Sequence, residues 1–220
     1  METVEDVKVE ALTATSQFVK PLRMHYRQDK KDKIWDLVSL HDSVSVILFN
    51  TDRRVLVLVR QFRPAVYYNS VPEEDRQASG NVDTSKYPGC SGITLELCAG
   101  IVDKKVSLEE MARLEALEEC GYDVPLKNFE HVKTFRSGVG VSGDRQTMFY
   151  AEVTDKMKVT EGGGLEAEGE LIEVVEMRLQ EVRELMAKPE VTAPVGLLFA
   201  LTWFLQHKAP PTTTTTATTT

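Results

Sequence analysis

The stretch LELCAGIVDKKVSLEEMARLEALEECGY, Leu95 to Tyr122, constrains the fold most strongly, because it holds a helix whose two ends are both marked by local chemistry. Ser107 followed three residues later by Glu110 makes a capping-box pattern, and Gly121 supplies the C-terminal stop. The spacing predicts a helix on which Leu108, Met111, Ala112, Glu115 and Glu119 share one face, with Glu118 at its margin. Leu114 and Leu117 form a second apolar flank. Three acids therefore point partly inward. Clustered carboxylates repel one another and are costly to desolvate, so the arrangement calls for a cation, and hard oxygen ligands suit magnesium, manganese or calcium. Glu is also a good helix former, and on the helix alone a merely solvated acidic face remains an equal reading.

Around that helix the periodicities are those of an α/β domain. SVSVILFN (Ser43 to Asn50) and RVLVLVRQF (Arg54 to Phe62) alternate with period two and are joined by a short polar turn, which predicts a hairpin. ITLELCAG, RQTMFYAEVT and ELIEVVEMRL read as further strands, LQEVRELMAK as a helix and VGLLFALTWFL as a buried C-terminal helix. A mixed sheet flanked by helices follows. The polar segment 69–92 is longer than an ordinary connection, and it reads as an insertion with a function or with mobility of its own. Residues 1–40 read as an N-terminal extension, 41–206 as the main domain and 207–220 as a disordered Pro/Thr-rich tail with no apolar face. Within the extension, Val19, Leu22, Met24, Trp35, Leu37 and Val38 are more apolar surface than so small a piece can bury alone, which predicts pairing as a homodimer.

Charge and cysteine usage exclude several classes. The net charge is -8, with 26 Lys plus Arg against 34 Asp plus Glu, and argues against general nucleic-acid binding. The acidic start METVEDVKVE is unlike a secretory signal, and no apolar run reaches the roughly 20 residues of a membrane span. Cys90, Cys98 and Cys120 lack metal-ligand spacing and are odd in number, so a reducing, cytoplasmic setting is expected. His25, His41, His131 and His207 form no triad or zinc pattern and read as structural.

From Gly100 onward the stretch resembles the signature of the Nudix hydrolases: Gly, five residues, Glu, seven residues, Arg-Glu, apolar, any, Glu-Glu, any, Gly, apolar. Gly100, Glu115, Ala116, Glu118, Glu119, Gly121 and Tyr122 fall in register, whereas Val106 stands at the first Glu and Leu114 at the Arg. Arg113 is rotated by about 100° from that position and does not substitute. LELCAG is similar to the Glu-Leu-Pro-Ala-Gly lead-in of the ADP-ribose and nucleotide-sugar pyrophosphatase branch, with Cys98 in place of Pro. LVRQFRPAVYYN resembles the glutamine-and-arginine strand that precedes the box in that branch, and SGVGVSGDRQTMFYAEVTD and GGGLEAEGELIEVVEM resemble its UDP-sugar members.

The resemblance implies an α/β/α sandwich with a mixed sheet, preceded by a strand-bearing dimerisation region. It implies hydrolysis of a nucleoside diphosphate sugar with Mg2+, for which Mn2+ substitutes, with UDP-glucose preferred and ADP-ribose as competitor. Glu115, Glu118, Glu119, Glu170 and the Ala99 carbonyl are the implied metal ligands, Glu115 and Glu119 being central to catalysis. Glu168 is the implied base, with Glu166 as the alternative, and the Gly162–Gly164 run beside them reads either as a flexible loop that delivers Glu168 or as an ordinary turn. Arg63 is the implied diphosphate contact, with Arg60 a weaker candidate. Trp35 matches an aromatic that stacks on the base, in some relatives from the neighbouring subunit, although a lone Trp is more often core. The departures at Val106 and Leu114 leave a different class open, a nucleotide-sugar binding module with weak or no catalysis.

Overall fold

The computed structural model describes residues 3–13, 16, 18–76 and 79–210, so most of the Thr-rich tail, residues 211–220, lies outside the described residues. The elements run β1 (Lys8–Val9), β2 (Lys20–Gln28), β3 (Lys31–Ser39), β4 (Ser43–Asn50), β5 (Val55–Phe62), α1 (Pro64–Ser70), β6 (Gly80–Asn81) and β7 (Ile93–Glu96). They continue with β8 (Cys98–Ile101), α2 (Leu108–Cys120), β9 (Glu130–Arg136), β10 (Arg145–Val153), β11 (Ile172–Arg178), α3 (Leu179–Ala187) and α4 (Val195–His207).

The main sheet has the order β11-β5-β4-β10-β9 and is mixed, since β4 and β10 pair in parallel while their other neighbours are antiparallel. The expected hairpin of β4 and β5 is present, but it pairs only from Leu48↔Val57 to Asn50↔Val55. Beyond that point the two strands diverge. The wedge between them is filled by β7 on the edge of β5 and β8 on the edge of β4. ITLELCAG therefore forms two strands broken at Leu97, where the sequence suggested one, because its two halves pair with strands that point away from each other.

Burial on both faces of the sheet sorts the side chains of β4 and β5 by parity. Val44, Val46, Leu48, Val57 and Val59 join Met111, Ala112, Ala116 and Cys120 of α2 in one core layer. Ile47, Phe49, Leu56 and Leu58 join Val182 of α3 and Leu197, Ala200, Leu201 and Phe204 of α4 in the other. The expected α/β/α sandwich results. No helix among the described residues is long and apolar enough to cross a membrane.

Helix α2 begins and ends as its caps require. The Ser107 side chain accepts the Glu110 N–H at 3.1 Å, and Gly121 adopts a left-handed φ of 78°. Its buried stripe is Met111, Ala112, Ala116, Glu119 and Cys120, whereas Leu108, placed on the inner face by periodicity, is 37% exposed at the first position of the helix.

The N-terminal extension forms a long hairpin of β2 and β3, turned at Asp29 and Lys30 with φ of 51° and 64°. Both values are those of a two-residue type I′ turn. Leu22, Met24, Ile34 and Trp35 lie exposed on it. Its ties to the domain include Val38 N–H to Val141 O at 3.0 Å and the Trp35 indole N–H to Gly140 O at 2.9 Å. Of the 69–92 segment, residues 80 and 81 pair with β1, and Tyr87 O accepts the hydroxyl of buried Tyr67 at 2.7 Å.

Met111→Ala, which empties a fully buried position between α2 and the sheet, is expected to lower unfolding free energy by about 2–5 kcal/mol. Ile34→Ala on the exposed hairpin should stay within about 0.5 kcal/mol at concentrations where the chain is monomeric. Urea denaturation followed by circular dichroism checks both.

Candidate active site

The β7–β8 wedge brings main chain directly under α2. Glu119, 3% exposed, accepts the Ala99 N–H through Oε2 at 2.9 Å. Glu115 lies over Gly100 so closely that a Cβ there would sit 2.0 Å from its Oε1, so a side chain at this position would push that carboxylate aside. One turn of α2 therefore presses two acids onto one dipeptide. Glu118 faces Lys104 at 3.8 Å from the loop before the helix.

The segment after β10 closes the same corner. Gly162, Gly163 and Gly164 hold φ of 75°, 110° and 83°, conformations that side-chain-bearing residues rarely adopt. Two of their amides face the end of α2: the Gly163 N–H donates to Glu119 O at 2.9 Å and the Gly164 N–H to Glu118 O at 3.1 Å. The glycine run thus caps the acid-bearing helix. Of the two readings offered for it, a loop free to swing fits poorly, because the orphan carbonyls at the helix end hold its amides. Glu170 follows, its Oε2 accepting the Leu165 N–H at 2.9 Å.

Two adjoining cavities meet here. One, of about 520 Å³, is bordered by Gln61, Arg63, Glu96, Ala99 and Glu119. The other, of about 660 Å³, is bordered by Asp103, Lys104, Glu115 and Glu118. Phe18, Gly100, Ile101 and Glu170 border both.

The electrostatics of the two sides differ. Burial pushes Glu119 up to about 8, with the charges of Glu115 and Glu170 adding to it against the Ala99 N–H, which favours the anion. Burial likewise raises Glu115 to about 7, with Glu118 the next cause. Glu96 is handled otherwise. Burial would raise it, but the fork of Arg63, at 2.7 Å to each oxygen, outweighs that and holds it below the ordinary carboxylate value. Thr94 Oγ1 donates to Glu96 at 2.5 Å. Arg63, which borders the first cavity, is raised in turn by its bonds to Glu96, and these use its Nε and Nη2 edge and not Nη1.

Among the expected site residues, Ala99, Glu115, Glu118, Glu119, Glu170 and Arg63 border these two cavities. Glu166 lies exposed in the turn Glu166–Glu168, and the side chain of Glu168 lies outside the described residues. Trp35 is 51% exposed on β3 and does not border either cavity; Arg60 pairs with Glu173 at 2.9 Å. No described residue of the 69–92 insertion borders them. His41 does border the second cavity. Arg113 is held by Glu110 at 2.8 Å and Asp123 at 3.1 Å, outside the acid cluster.

Sequence reasoning missed Glu96 and Thr94, although an acid inside an apolar strand is a signal that a cation must face it. As to a metal, no group of three or more His, Cys, Asp or Glu among the described residues is gathered closely enough to enclose an ion as the side chains now stand. Ala99, Lys104 and Leu165 occupy Glu119, Glu118 and Glu170 respectively. The donor set nonetheless fits a hard divalent cation: it is all oxygen and mutually repelling, and burial raises two of its members, Glu115 and Glu119.

Residues 39–196 match the NUDIX domain. This chain belongs to the NUDIX family. It is 45% identical to the uridine diphosphate glucose pyrophosphatase of Bos taurus, covering 96% of this chain and 98% of that protein. The Mus musculus protein of the same name is 43% identical over the same shares. The GDP-mannose pyrophosphatase of Klebsiella pneumoniae is 34% identical over 68% of this chain and 64% of its own length. NUDIX hydrolases generally require divalent metal ions, in keeping with the donor set.

A raised carboxylate destabilises the metal-free fold once the pH favours its charge. Between the ordinary 4.5 and the folded values of about 7 and about 8, the folded chain holds protons that the unfolded chain has released. The stabilising contribution of these two carboxyls is therefore fully present below 4.5 and is lost as pH rises toward 8. Thermal melts in chelator should show the midpoint falling from pH 5.5 to 8.5, with Glu119→Gln flattening the decline and Mg2+ raising the midpoint most at the alkaline end.

Proposed function

We infer that this NUDIX domain hydrolyses the diphosphate bond of nucleoside diphosphate sugars, preferring UDP-glucose, which it splits into UMP and glucose 1-phosphate. ADP-ribose is a second substrate. The reading rests on one observation above all: Glu115, Glu118, Glu119 and Glu170 meet Arg63 around Gly100 in a chain similar over nearly its whole length to UDP-glucose pyrophosphatases. The binding-module alternative has little support, since the acids are intact despite Val106 and Leu114.

Glu115, Glu118, Glu119, Glu170 and the Ala99 carbonyl are the groups that would hold Mg2+, or Mn2+ in its place. When bound, the ion screens the charge of the diphosphate and lowers the pKa of coordinated water. Arg63, pre-set by Glu96, offers its remaining N–H edge to phosphate oxygens. Glu168 takes the proton of the attacking water as its oxygen bonds to phosphorus, and the bridging P–O bond breaks with its electron pair on the departing phosphate. Glu166 is the alternative base.

The exposed apolar residues of the β2–β3 hairpin support a homodimer, in which a second copy covers them and a partner-supplied Trp35 reaches the base. Three free cysteines, two of them buried, suit the cytoplasm. Light scattering at micromolar concentration should give twice the chain mass; a monomer whose activity is insensitive to dilution would remove both the dimer and the stacking role of Trp35.

Product analysis with UDP-glucose and ADP-ribose in Mg2+ tests the activity, and absence of turnover across a metal and sugar panel would return the binding module. Glu119→Gln is expected to abolish most turnover, with partial recovery in Mn2+. Glu168→Gln should lower kcat by about 10²–10⁴-fold with KM and metal dependence little changed, while Glu166→Gln stays mild. The reverse order of the last two would move the base to Glu166.

A further inference from the structure

Ser45 Oγ is the one buried side-chain polar atom among the described residues without a hydrogen-bond partner, and Ser45 is 1% exposed. Its place is specific. On β4 it lies opposite Ala99 of β8 and beside Met148 of β10, and it borders the cleft that holds Arg63 and Glu119. The first turn of α4 borders the same cleft through Val195 and Gly196. No side chain of a described residue caps this 13-residue helix, so the amides of its first residues stay outside the intrahelical ladder. Gln146 joins Ser43, two residues before Ser45 on β4, to that turn. Its Nε2 donates to Ser43 Oγ at 3.3 Å, and a Cβ on Gly196 would lie 2.9 Å from its Oε1, so the carboxamide is packed against the α4 turn.

We propose that Ser45, Gln146 and the amides of Val195 and Gly196 form the subsite that binds the hydroxyl groups of the glycosyl moiety. The proposal rests on the nucleotide-sugar reading above and names the part of the cleft that selects the sugar. The chemistry favours hydroxyls over a second anionic group. Among the described residues bordering this cleft Arg63 is the one cation, and it is already paired with Glu96. Serine hydroxyl and glutamine carboxamide are neutral and each can donate and accept, as a sugar hydroxyl does. Leu97 and Phe135, which border the same cleft, offer apolar surface to the C–H face of a hexose. A buried hydroxyl with no partner regains a hydrogen bond only when a ligand oxygen or water reaches it, so the sugar completes the site.

The test compares UDP-glucose with the β-methyl ester of UDP, which carries the same uridine and diphosphate and none of the glucosyl hydroxyls. The readout is the ratio of their kcat/KM values, which a general loss of folding or of metal does not change. Ser45→Ala is expected to lower the ratio about 10-fold. Gly196→Ala, whose methyl group would displace Gln146, should lower it as well, which keeps the test available if one variant folds poorly. Wild-type turnover of UDP-glucose with an unchanged ratio in both variants would overturn the subsite alone. Failure of the wild-type protein to hydrolyse either compound would overturn the nucleotide-sugar reading and the subsite with it.

Discussion

The seating of α2 on the dipeptide Ala99–Gly100 is the contact on which the rest of the site depends. Glu119 takes the Ala99 amide and Glu115 fills the space that Gly100 leaves open. For that contact to exist, main chain must run beneath the helix in the middle of a sheet. It does so only because β4 and β5 part after three paired residues and admit β7 and β8. The glycine run 162–164 then holds the far end of the helix by its carbonyls, so the acids are fixed from both directions.

The cleft handles buried acid in two ways. Glu96 is neutralised inside the chain by a two-point bond to Arg63, which makes it a positioning group and leaves the arginine aimed. Glu115 and Glu119 receive no such two-point bond; burial drives both toward protonation, with Glu118 adding to it at Glu115 and Glu115 adding to it at Glu119. A desolvated carboxylate without a cation works against folding, so retaining buried Glu119 and half-buried Glu115 makes physical sense where a cation from solution supplies the missing charge.

Much of this was legible in the sequence, and what was not has identifiable causes. Ser107 and Gly121 marked the ends of α2 because caps act through neighbouring residues. The inner face was misjudged at Leu108, since periodicity does not say which turn first touches the sheet. The break at Leu97 was invisible because it follows from which strands β7 and β8 pair with, a non-local fact. Glycines at 162–164 read as freedom or an ordinary turn, whereas the partners of the Gly163 and Gly164 amides, at the end of a helix some forty residues earlier, make them a cap. Ser45 and the start of α4 carried no motif, and only the fold brings them to one cleft. Trp35 was drawn toward the substrate by resemblance, and within its own chain it is tied to Gly140 instead.

If the approach of Glu115 to Gly100 builds the metal site, a single methyl group at residue 100 should dismantle it. Titration of Mn2+ into wild-type protein and Gly100→Ala, read by electron paramagnetic resonance, measures this directly, with circular dichroism to verify that both are folded. The Gly100→Ala protein is expected to bind Mn2+ at least about 10-fold more weakly, because the new Cβ would occupy the position of the Glu115 carboxylate. A folded Gly100→Ala protein with wild-type Mn2+ affinity would contradict the claim that this contact organises the site.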